Sequence, residues 1–516
     1  MKFILFIIPI LFYFSISAQS LKFDNSWVFG NSNYGASNNY VFSFDNNKIE
    51  YKKNLPAILP MDYSNTSISD SLGDLLLYTN GVSIANKNGK YLDGGKFISP
   101  ILSSTPWFKY GSPSKQQGII LPCTNNKFIF FYVDDIFLKI DTSNYYIAPG
   151  IYKSIIDMNE NGEEGKLTEL NKLVLKDTFN TGQLSACKHA NGRDWWVINQ
   201  KFNSSIFYKY LINNENVETI DTQHIGTNIF YPLGQSVFTP NGSNYIRSEA
   251  FEIGKPSYLQ IFDFDRCSGN LSNERLIMLE DSTSVYVCGG AVSPNSRFVY
   301  VTYFKYIIQF DLWADDIAAS RDTVAIYDDF KTPLGSWTTF WMAQLGPDGR
   351  IYIMTGPNGT DFLHVIDQPD KKGKACNVLQ HAIQLPTGSA WSIPNFPNYR
   401  LGPLKGSPCD TVSVAAKEIK PEDYGIKLFP NPSSTIIKID ITIPQYDPTI
   451  KTEVVVVDVS GAIVMRYVIP DFAYLATLDI SKLHSGVYGV QLRQPQRSGA
   501  KVLATEKLVV VSDAER

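Results

Sequence analysis

The sequence predicts an all-β protein, a β-propeller followed by a small immunoglobulin-like β-sandwich. A short apolar strand, a Pro-Asn or Pro-Asp turn and an alternating strand recur around Pro240, Pro294 and Pro347. The spacings of 54 and 53 residues between these prolines are typical of propeller or solenoid repeats. Aromatic residues make up 13% of the chain, which favours strands, and no convincing amphipathic helix interrupts the repeats.

The repeat pattern begins before these prolines and gives six copies along the chain. Their turn positions are Leu72, Asn125, Asn191, Asn241, Asn295 and Asp348. Strands of about four to eight residues at this spacing suit four-stranded blades. Residues Gly388 to Phe396 resemble the start of a seventh blade, which N-terminal strands within residues 22–53 could complete. Ring closure of this kind removes open sheet edges, so we expect seven blades, with six as the alternative.

The first residues are typical of a secretory signal peptide. Lys2 precedes a nearly unbroken apolar run from Phe3 to Phe14, and small residues follow up to Ala18. The run is too short for a membrane span, so we predict that residues 1–18 are removed and that the mature chain begins at Gln19. A retained anchor helix is the alternative. No later run reaches about 18 apolar residues, and we therefore expect no transmembrane segment in the mature chain.

Charge and cysteine content narrow the possible partners and cofactors. A net charge of −4 and a pI near 5.8 provide no broad basic surface, which argues against nucleic acid as a partner. The six cysteines of an exported chain predict disulfides. No CxxC pair occurs in the sequence, so the cysteines give little support for a zinc or redox site. The pairs we expect are Cys267 with Cys288, Cys376 with Cys409, and Cys123 with Cys187. We expect no cofactor.

Composition changes twice near the end of the chain. Residues 402–425 form a polar run with several prolines, which predicts a linker after a propeller spanning residues 19–401. From residue 426 onward, short alternating strands follow one another, as in a small β-sandwich over residues 426–516.

Three motifs occur in order in this last region. Pro430-Asn431-Pro432 opens it, Asp458 and Gly461 form an Asp-x-x-Gly turn, and Leu483, Gly486 and Tyr488 form a Leu-x-x-Gly-x-Tyr motif before a terminal strand with Lys507. These residues closely resemble the type A C-terminal sorting domain of the type IX secretion system of Bacteroidota. The resemblance implies that the outer-membrane machinery of that system recognises residues 426–516 as its export signal. It also implies a protein that crosses the periplasm and is then secreted or attached to the outer cell surface.

Each motif also has a physical role. The two prolines fix φ and remove donors, which keeps the entering chain extended. Gly461 can supply the positive φ of a hairpin turn, with Asp458 bonding the turn backbone. We expect Gly486 to allow a close approach and Tyr488 to be a core aromatic. An ordinary immunoglobulin-like stalk is the alternative.

The propeller region contains two weak site candidates. The turns Ser-Pro-Asn-Ser-Arg and Gly-Pro-Asp-Gly-Arg are similar to those of TolB-like and WD40-like propellers, a resemblance that implies a fold without an activity. Asp157, Asn159 and Asn161 match the first half of a calcium loop, but position twelve is Thr168, so a polar hairpin turn is the preferred interpretation. His189 and the Arg193-Asp-Trp-Trp196 run could line a binding face or pack within a blade.

These observations favour a secreted or cell-surface propeller that binds a glycan or peptide ligand. The alternative is an extracellular polysaccharide-active hydrolase or lyase on a propeller scaffold. No catalytic residues can be named, because the sialidase Asp-box spacing fails at Asp70 and no nucleophile or phosphate-loop motif occurs.

Overall fold

The computed structural model describes residues 21–516 except for residues 31–37, 46–47, 57, 141–142, 163, 230–233, 250–256, 281–286, 334, 357–359, 390, 411–424, 443–451, 469–474, 497–498 and 512–516. The predicted signal peptide and its cleavage residues Ala18 and Gln19 lie outside the described residues. The chain divides into two compact units, Met1–Asp410 and Thr411–Arg516. In the described ranges the helices are three short 3₁₀ segments, Leu102–Ser104, Pro106–Lys109 and Gly373–Cys376.

The first unit begins with two three-stranded sheets and one five-stranded sheet. The first sheet consists of β1 (Ser26–Phe29), β2 (Asn38–Asp45) and β3 (Lys48–Pro56), and the second of β4 (Thr66–Ser69), β5 (Leu75–Thr79) and β6 (Ile84–Asn86). The third consists of β7 (Gly118–Pro122), β8 (Lys127–Val133), β9 (Ile136–Ile140), β10 (Ser143–Asp157) and β11 (Lys166–Asn180).

Four antiparallel sheets follow, each with four strands in sequence order. They are β12 (Ser185–Lys188), β13 (Trp195–Gln200), β14 (Ile206–Asn213) and β15 (Asn216–His224); β16 (Ser236–Phe238), β17 (Asn244–Glu249), β18 (Ser257–Phe264) and β19 (Leu271–Glu280); β20 (Val287–Val292), β21 (Phe298–Tyr303), β22 (Tyr306–Asp311) and β23 (Asp322–Ile326); and β24 (Thr339–Leu345), β25 (Ile351–Gly356), β26 (Thr360–Ile366) and β27 (Val378–Ser389). The first strands β12, β16, β20 and β24 pack beside one another in turn. The first unit is therefore a β-propeller. Its described part holds seven sheets, the number that seven blades would need, although the blade count itself stays a prediction.

The recurring turn owes its sequence to one hydrogen bond. The side-chain oxygen of the Asn or Asp accepts from the backbone N–H two residues later, at 3.0 Å for Asn191, Asn241 and Asn295 and at 3.2 Å for Asp348. Asn and Asp favour such turns because their short side chains reach this N–H. This hydrogen bond explains why Asn or Asp recurs at the same turn position in successive sheets.

Ring closure differs from the expectation. Residues 391–398 have no strand assignment, so the predicted shared seventh blade does not form by ladder pairing. The last sheet instead meets the first through packed aromatic rings. Trp27 of β1 lies 5.4 Å from the Tyr352 ring of β25 and 5.9 Å from the Phe396 ring, measured between centroids. Side-chain burial thus closes the ring where backbone pairing was expected.

The predicted linker begins later than residue 402. Leu404 donates its backbone N–H to the Ala190 oxygen at 2.8 Å, and Cys409 is bonded to Cys267. Residues 402–410 therefore belong to the first unit. Prolines at the start of this stretch suggested a linker, but they are compatible with an extended segment lying against the propeller.

The described residues of the second unit form seven strands in two sheets. They are β28 (Gly425–Phe429), β29 (Ile436–Thr442), β30 (Glu453–Val457), β31 (Ile463–Val468), β32 (Leu475–Asp479), β33 (Gly486–Gln496) and β34 (Gly499–Val510). One sheet has the order β28-β29-β32 and the other β31-β30-β33-β34. Burial alternates strictly along β29, and its buried residues share one apolar core with residues of β30, β33 and β34. The immunoglobulin-like classification stays a prediction.

Candidate functional sites

Asn395 ties the inner strands of several sheets together. Its backbone N–H donates to the Asn65 oxygen at 3.1 Å. Its side-chain Nδ2 donates to the oxygens of Gly118 at 3.2 Å and Leu184 at 3.1 Å, while its Oδ1 accepts from Gln116 at 3.0 Å. One side chain thus bonds to β7 and to the chain entering β12. The segment that follows the last sheet therefore crosses the inside of the ring.

Two glutamines extend this network to the remaining inner strands. Gln116 donates to the Ser236 oxygen at 2.9 Å and accepts from the Ser236 N–H at 2.8 Å. Gln235 donates to the Ala343 oxygen at 2.7 Å and accepts from the N–H groups of Gly290 and Ala343 at 3.2 Å. Both side chains are buried, and their amides satisfy backbone groups of several inner strands.

A cavity of about 230 Å³ lies against this network. The strands β12, β16, β20 and β24, residues 395–401 and Asp24 contribute its walls. Apolar side chains cover much of the lining, namely Val237, Phe238, Val292, Leu345, Phe396 and Leu401. The prolines of the three repeat turns also reach it, which places the cavity at the turn end of the inner strands.

Asp24 and Arg400 supply the charge in the cavity lining. Arg400 donates from Nη1 to Asp24 Oδ2, and this is the one hydrogen bond that its side chain makes to the described residues. Asp24 is 7% exposed, and its Oδ1 atom has no hydrogen-bond partner among the residues that the structure describes. A buried carboxylate oxygen without a partner is rare, because desolvation is costly. Arg400 also has N–H donors beyond the one that Asp24 accepts.

Sequence reasoning missed both members of this pair. They are 376 residues apart, and neither lies in a recognisable motif. The one sequence feature that pointed to this region was the repeated Pro-Asn pair in residues 394–398, which precedes Arg400.

The run around His189 forms a structural turn. His189 bonds through Nε2 to the Cys267 oxygen at 3.0 Å, and Asp194 accepts from Arg193 Nε at 2.7 Å. Trp196 donates from Nε1 to the Arg266 oxygen at 3.0 Å. His189 and Trp196 therefore join this turn to residues 266–267 of the next sheet, while Arg193 and Asp194 pair within the turn.

The calcium candidate is a polar hairpin turn between β10 and β11. Asp157 Oδ1 accepts from the Asn159 N–H at 3.0 Å and from its side-chain Nδ2 at 3.0 Å, while Lys127 lies 3.8 Å from Oδ2. Asn161 takes a positive φ of 56°, as a turn residue does. The carboxylate is engaged by the turn itself and by a lysine.

The cysteine pairing differs from all three expected pairs. Cys267 is bonded to Cys409, while Cys123, Cys187 and Cys376 are free thiols. The side chain of Cys288 lies outside the described residues. Cys409 reaches Cys267 because residues 402–410 return to the propeller, and sequence spacing gave no sign of that return. Burial raises the pKa of both Cys123 and Cys187 to about 12, so these thiols are poor nucleophiles.

In the second unit, the Pro430-Asn431-Pro432 motif lies against the last strand. Asn431 donates from Nδ2 to the Lys507 oxygen at 2.6 Å and accepts at Oδ1 from the Val509 N–H at 2.9 Å. Lys507 contributes its backbone to this contact, and its side chain is exposed. The Asn431 side chain therefore bonds to the backbone along the edge of β34.

The Asp-x-x-Gly turn has the expected geometry. Gly461 takes a φ of 84°, and its N–H donates to the Asp458 oxygen at 3.0 Å. Asp458 Oδ1 accepts from the N–H groups of Ser460 at 2.9 Å and Ala462 at 3.0 Å. These hydrogen bonds, with that of the Ser460 hydroxyl first, lower the pKa of Asp458.

The third motif corrects two expectations. A Cβ on Gly486 would lie 3.7 Å from the Tyr488 ring, an ordinary contact, so no close approach requires glycine there. Tyr488 is half-buried at the edge of the core, and its hydroxyl donates to the His484 oxygen at 2.9 Å. Leu483 packs on the same core. The motif thus fixes the turn before β33.

A family comparison decides the nature of this unit. Residues 427–510 match the model of the secretion system C-terminal sorting domain. The second unit is a sorting domain. The protein is therefore exported through the type IX system and is secreted or held at the cell surface. None of the helices among the described residues has the length and apolar character that a membrane span requires.

Similarity elsewhere is weak. A search of curated proteins found no match. A protein from Bacteroides uniformis assigned as a 6-phosphogluconolactonase is 12% identical, with 72% of this chain and 98% of that one covered and a TM-score of 0.41. TolB from Acinetobacter baumannii is 10% identical, with 72% and 66% covered and a TM-score of 0.32. The Dos1 propeller is 10% identical, with 65% and 76% covered and a TM-score of 0.28. Similarities this low say nothing about activity.

Proposed function

We propose that this exported propeller is a binding protein whose central cavity takes one sugar residue of an extracellular glycan. The observation that carries the proposal is Asp24, which lines the cavity while its buried Oδ1 has no described partner. A hydroxyl donated by a ligand would satisfy that oxygen. Arg400 would donate to a neighbouring hydroxyl of the same ring.

The rest of the cavity suits the same ligand. Its volume of about 230 Å³ is below the roughly 300–1,000 Å³ of pockets for drug-sized ligands, so it favours a single ring. Phe238 and Phe396 offer aromatic surface to the apolar C–H faces of a sugar. A charged peptide terminus fits less well, because an amine would meet Arg400 and a carboxylate would meet Asp24.

The lining also favours binding over hydrolysis. Most glycoside hydrolases use two carboxyl groups on opposite sides of the scissile bond. Among the described residues that line the cavity, Asp24 is the one carboxylate. Hydrolase or lyase activity stays the alternative function.

The test begins with the full-length mature protein on a glycan array, followed by calorimetric titration with the best oligosaccharide. Asp24→Asn should weaken binding about tenfold or more, because a hydrogen bond to a charged acceptor is lost. Leu401→Trp should block binding by filling the cavity. Circular dichroism would establish that both variants are folded.

Asp311→Asn is the matched control. It breaks a second Arg–Asp pair, Arg297 with Asp311 at 2.7 Å, which does not line the cavity. Its binding should equal that of the native protein. Wild-type affinity in both cavity variants, or no bound glycan on the array, would refute the proposal. Steady release of reducing ends by the native protein would favour the hydrolase instead.

A further inference from the structure

The inner end of the central cavity is closed by buried groups that bond to one another. Gln116, Ser236 and Asn395 line the cavity, and each is at most 4% exposed. Gln116 uses both of its side-chain N–H donors, on the Ser236 oxygen at 2.9 Å and on Asn395 Oδ1 at 3.0 Å. The backbone oxygen of Gln116 accepts from the Leu184 N–H at 3.1 Å. These residues form the floor of the cavity, and a ligand group cannot pass it without breaking their hydrogen bonds.

A second layer of side chains lies behind this floor. Lys115 directly precedes Gln116, and its Nζ atom lies 4.2 Å from the centre of the Trp341 ring. Trp341 in turn packs on Trp391, with ring centroids 4.9 Å apart. Trp341 comes two residues before Ala343, which lines the cavity, so this layer lies nearer the start of the inner strand β24. Within the described residues, the ring is therefore filled behind the cavity.

The cavity opens at the repeat turns. Pro240, Pro294 and Pro347 line it and are half-buried, whereas the floor residues are buried. These prolines belong to the turns that follow β16, β20 and β24, so they mark the rim of the cavity at the turn end of the inner strands. As far as the described residues define it, the cavity is blind, with an open rim and a closed floor.

A blind cavity for one ring discriminates between the end and the interior of a glycan chain. In a 1,4-linked polysaccharide, each internal ring carries glycosidic oxygens at C1 and C4, on opposite sides of the ring. One of them can face the rim, but the other would then meet the floor, and a cavity of about 230 Å³ leaves no room there for a further ring. A terminal ring carries one glycosidic bond, which can point to the rim while its hydroxyl groups reach Asp24 and Arg400.

We infer that the cavity takes the terminal ring of a glycan, so that this protein recognises chain ends and not the interior of a polysaccharide. The inference rests on the proposed function for the class of ligand. It adds that one ring determines the affinity, and that the number of binding sites on a polymer follows the number of its chain ends.

Calorimetric titration of the full-length mature protein with oligosaccharides of increasing length tests the inference. The probes are the malto-, cello-, xylo- and manno-oligosaccharide series, each from one to six rings. In at least one series the single ring should bind, and the dissociation constant should change less than about threefold between two and six rings, because the added rings lie outside the cavity. Asp24→Asn should weaken the binding of every length by the same factor.

The matching polysaccharide gives a second measure. Brief endo-hydrolysis multiplies the chain ends without changing the mass of sugar, so the binding capacity per gram should rise in proportion to the new ends. Borohydride reduction then opens only the ring at the reducing end. Loss of binding after reduction assigns the reducing end to the cavity, and retention assigns the non-reducing end. Both results agree with the inference.

Lys115→Met is the control for the side of the ring behind the floor. Methionine keeps an unbranched side chain against Trp341 and removes the charge, and a terminal ring held in the cavity does not reach this position. The variant should bind with native affinity. Weaker binding by a variant that circular dichroism shows to be folded would mean that the glycan chain passes through the ring, and the inference would be wrong.

Two other results would overturn the inference while leaving the cavity proposal intact. One is an affinity that rises about tenfold or more between two and six rings, and the other is a binding capacity that endo-hydrolysis leaves unchanged. If Asp24→Asn still weakens such binding, the glycan lies across the rim of the cavity. No binding in any of the four series would also overturn the inference, and an array without a bound glycan would refute the proposed function as well.

Discussion

Cys267 and Cys409 are joined by a disulfide that brings their Cα atoms to 5.5 Å, although they are 142 positions apart in the sequence. Arg266, beside Cys267, donates to the Gly402 and Lys188 oxygens. The end of the first unit is thus fixed to the turn after β18. Arg400 lies just before this fixed stretch, so the disulfide helps to hold the segment that lines the cavity.

Replacing both cysteines by serine should destabilise the first unit and loosen the cavity. A disulfide of this kind contributes about 2–4 kcal/mol, because it restricts the unfolded chain. We expect a lower midpoint of thermal unfolding and weaker sugar binding in the double variant. Calorimetric unfolding of the full-length protein measures the first effect. Cys123→Ser, which changes a half-buried free thiol, is the control, and equal midpoints for the double variant and the native protein would contradict the prediction.

The buried carboxyl group of Asp135 should make the free energy of unfolding depend on pH. It is buried beside Asp134, and its Oδ2 accepts from the Ser112 hydroxyl at 2.7 Å. Burial raises the pKa of Asp135 to about 7. The folded state therefore binds a proton that the unfolded state releases near pH 4. The stabilisation is fully present below that pH and is lost as the pH rises towards 7.

Asp135→Asn should remove this contribution. The free energy of unfolding of the variant, measured relative to the native protein in urea, should rise between pH 4.5 and 7.5 by a few kcal/mol. The comparison isolates Asp135, because both proteins share all other titrating groups. Thr339→Val removes a buried hydroxyl that has no hydrogen-bond partner among the described residues, leaves the groups around Asp135 in place and should show little such trend. A difference between variant and native protein that does not change with pH would show that Asp135 titrates normally.

The sequence predicted those features that depend on residues close together in the chain. The repeat turns were predictable because Asn295 and its equivalents bond to an N–H two residues away. The Asp458 turn was predictable for the same reason. In both cases the residue types required by the geometry stand next to each other in the sequence.

Features that depend on distant residues were not predictable. The Asn395 side chain bonds to Gln116, to Gly118 of β7 and to Leu184 just before β12, and nothing in its neighbourhood distinguishes it from the asparagines of the repeat turns. The Asp24–Arg400 pair and the Cys267–Cys409 bond likewise join segments that only ring closure brings together. Six cysteines allow 15 pairings, and spacing alone does not choose among them.

Asn431 links the first motif of the sorting domain to its last strand, and its removal should reduce export. Its side chain makes both hydrogen bonds that join this motif to the backbone of Lys507 and Val509. Asn431→Ala loses both, at a cost of about 1–3 kcal/mol, and should loosen β34. In the native host, we expect less protein in the medium and on the cell surface and more in the periplasm. Deletion of residues 426–516 should strand the whole propeller in the periplasm.

Lys507→Ala is the control that separates the two ends of this contact. Only the backbone of Lys507 takes part in the bond to Asn431, so this variant should keep the hydrogen bonds between Asn431 and β34. If Lys507→Ala reduces export while Asn431→Ala does not, the secretion machinery recognises the exposed lysine side chain. The hydrogen bonds of Asn431 then have no part in recognition. Fractionation and immunoblot measure the export of the deletion variant. If it is exported at the full-length level, the second unit is a structural stalk and the export signal lies in the propeller.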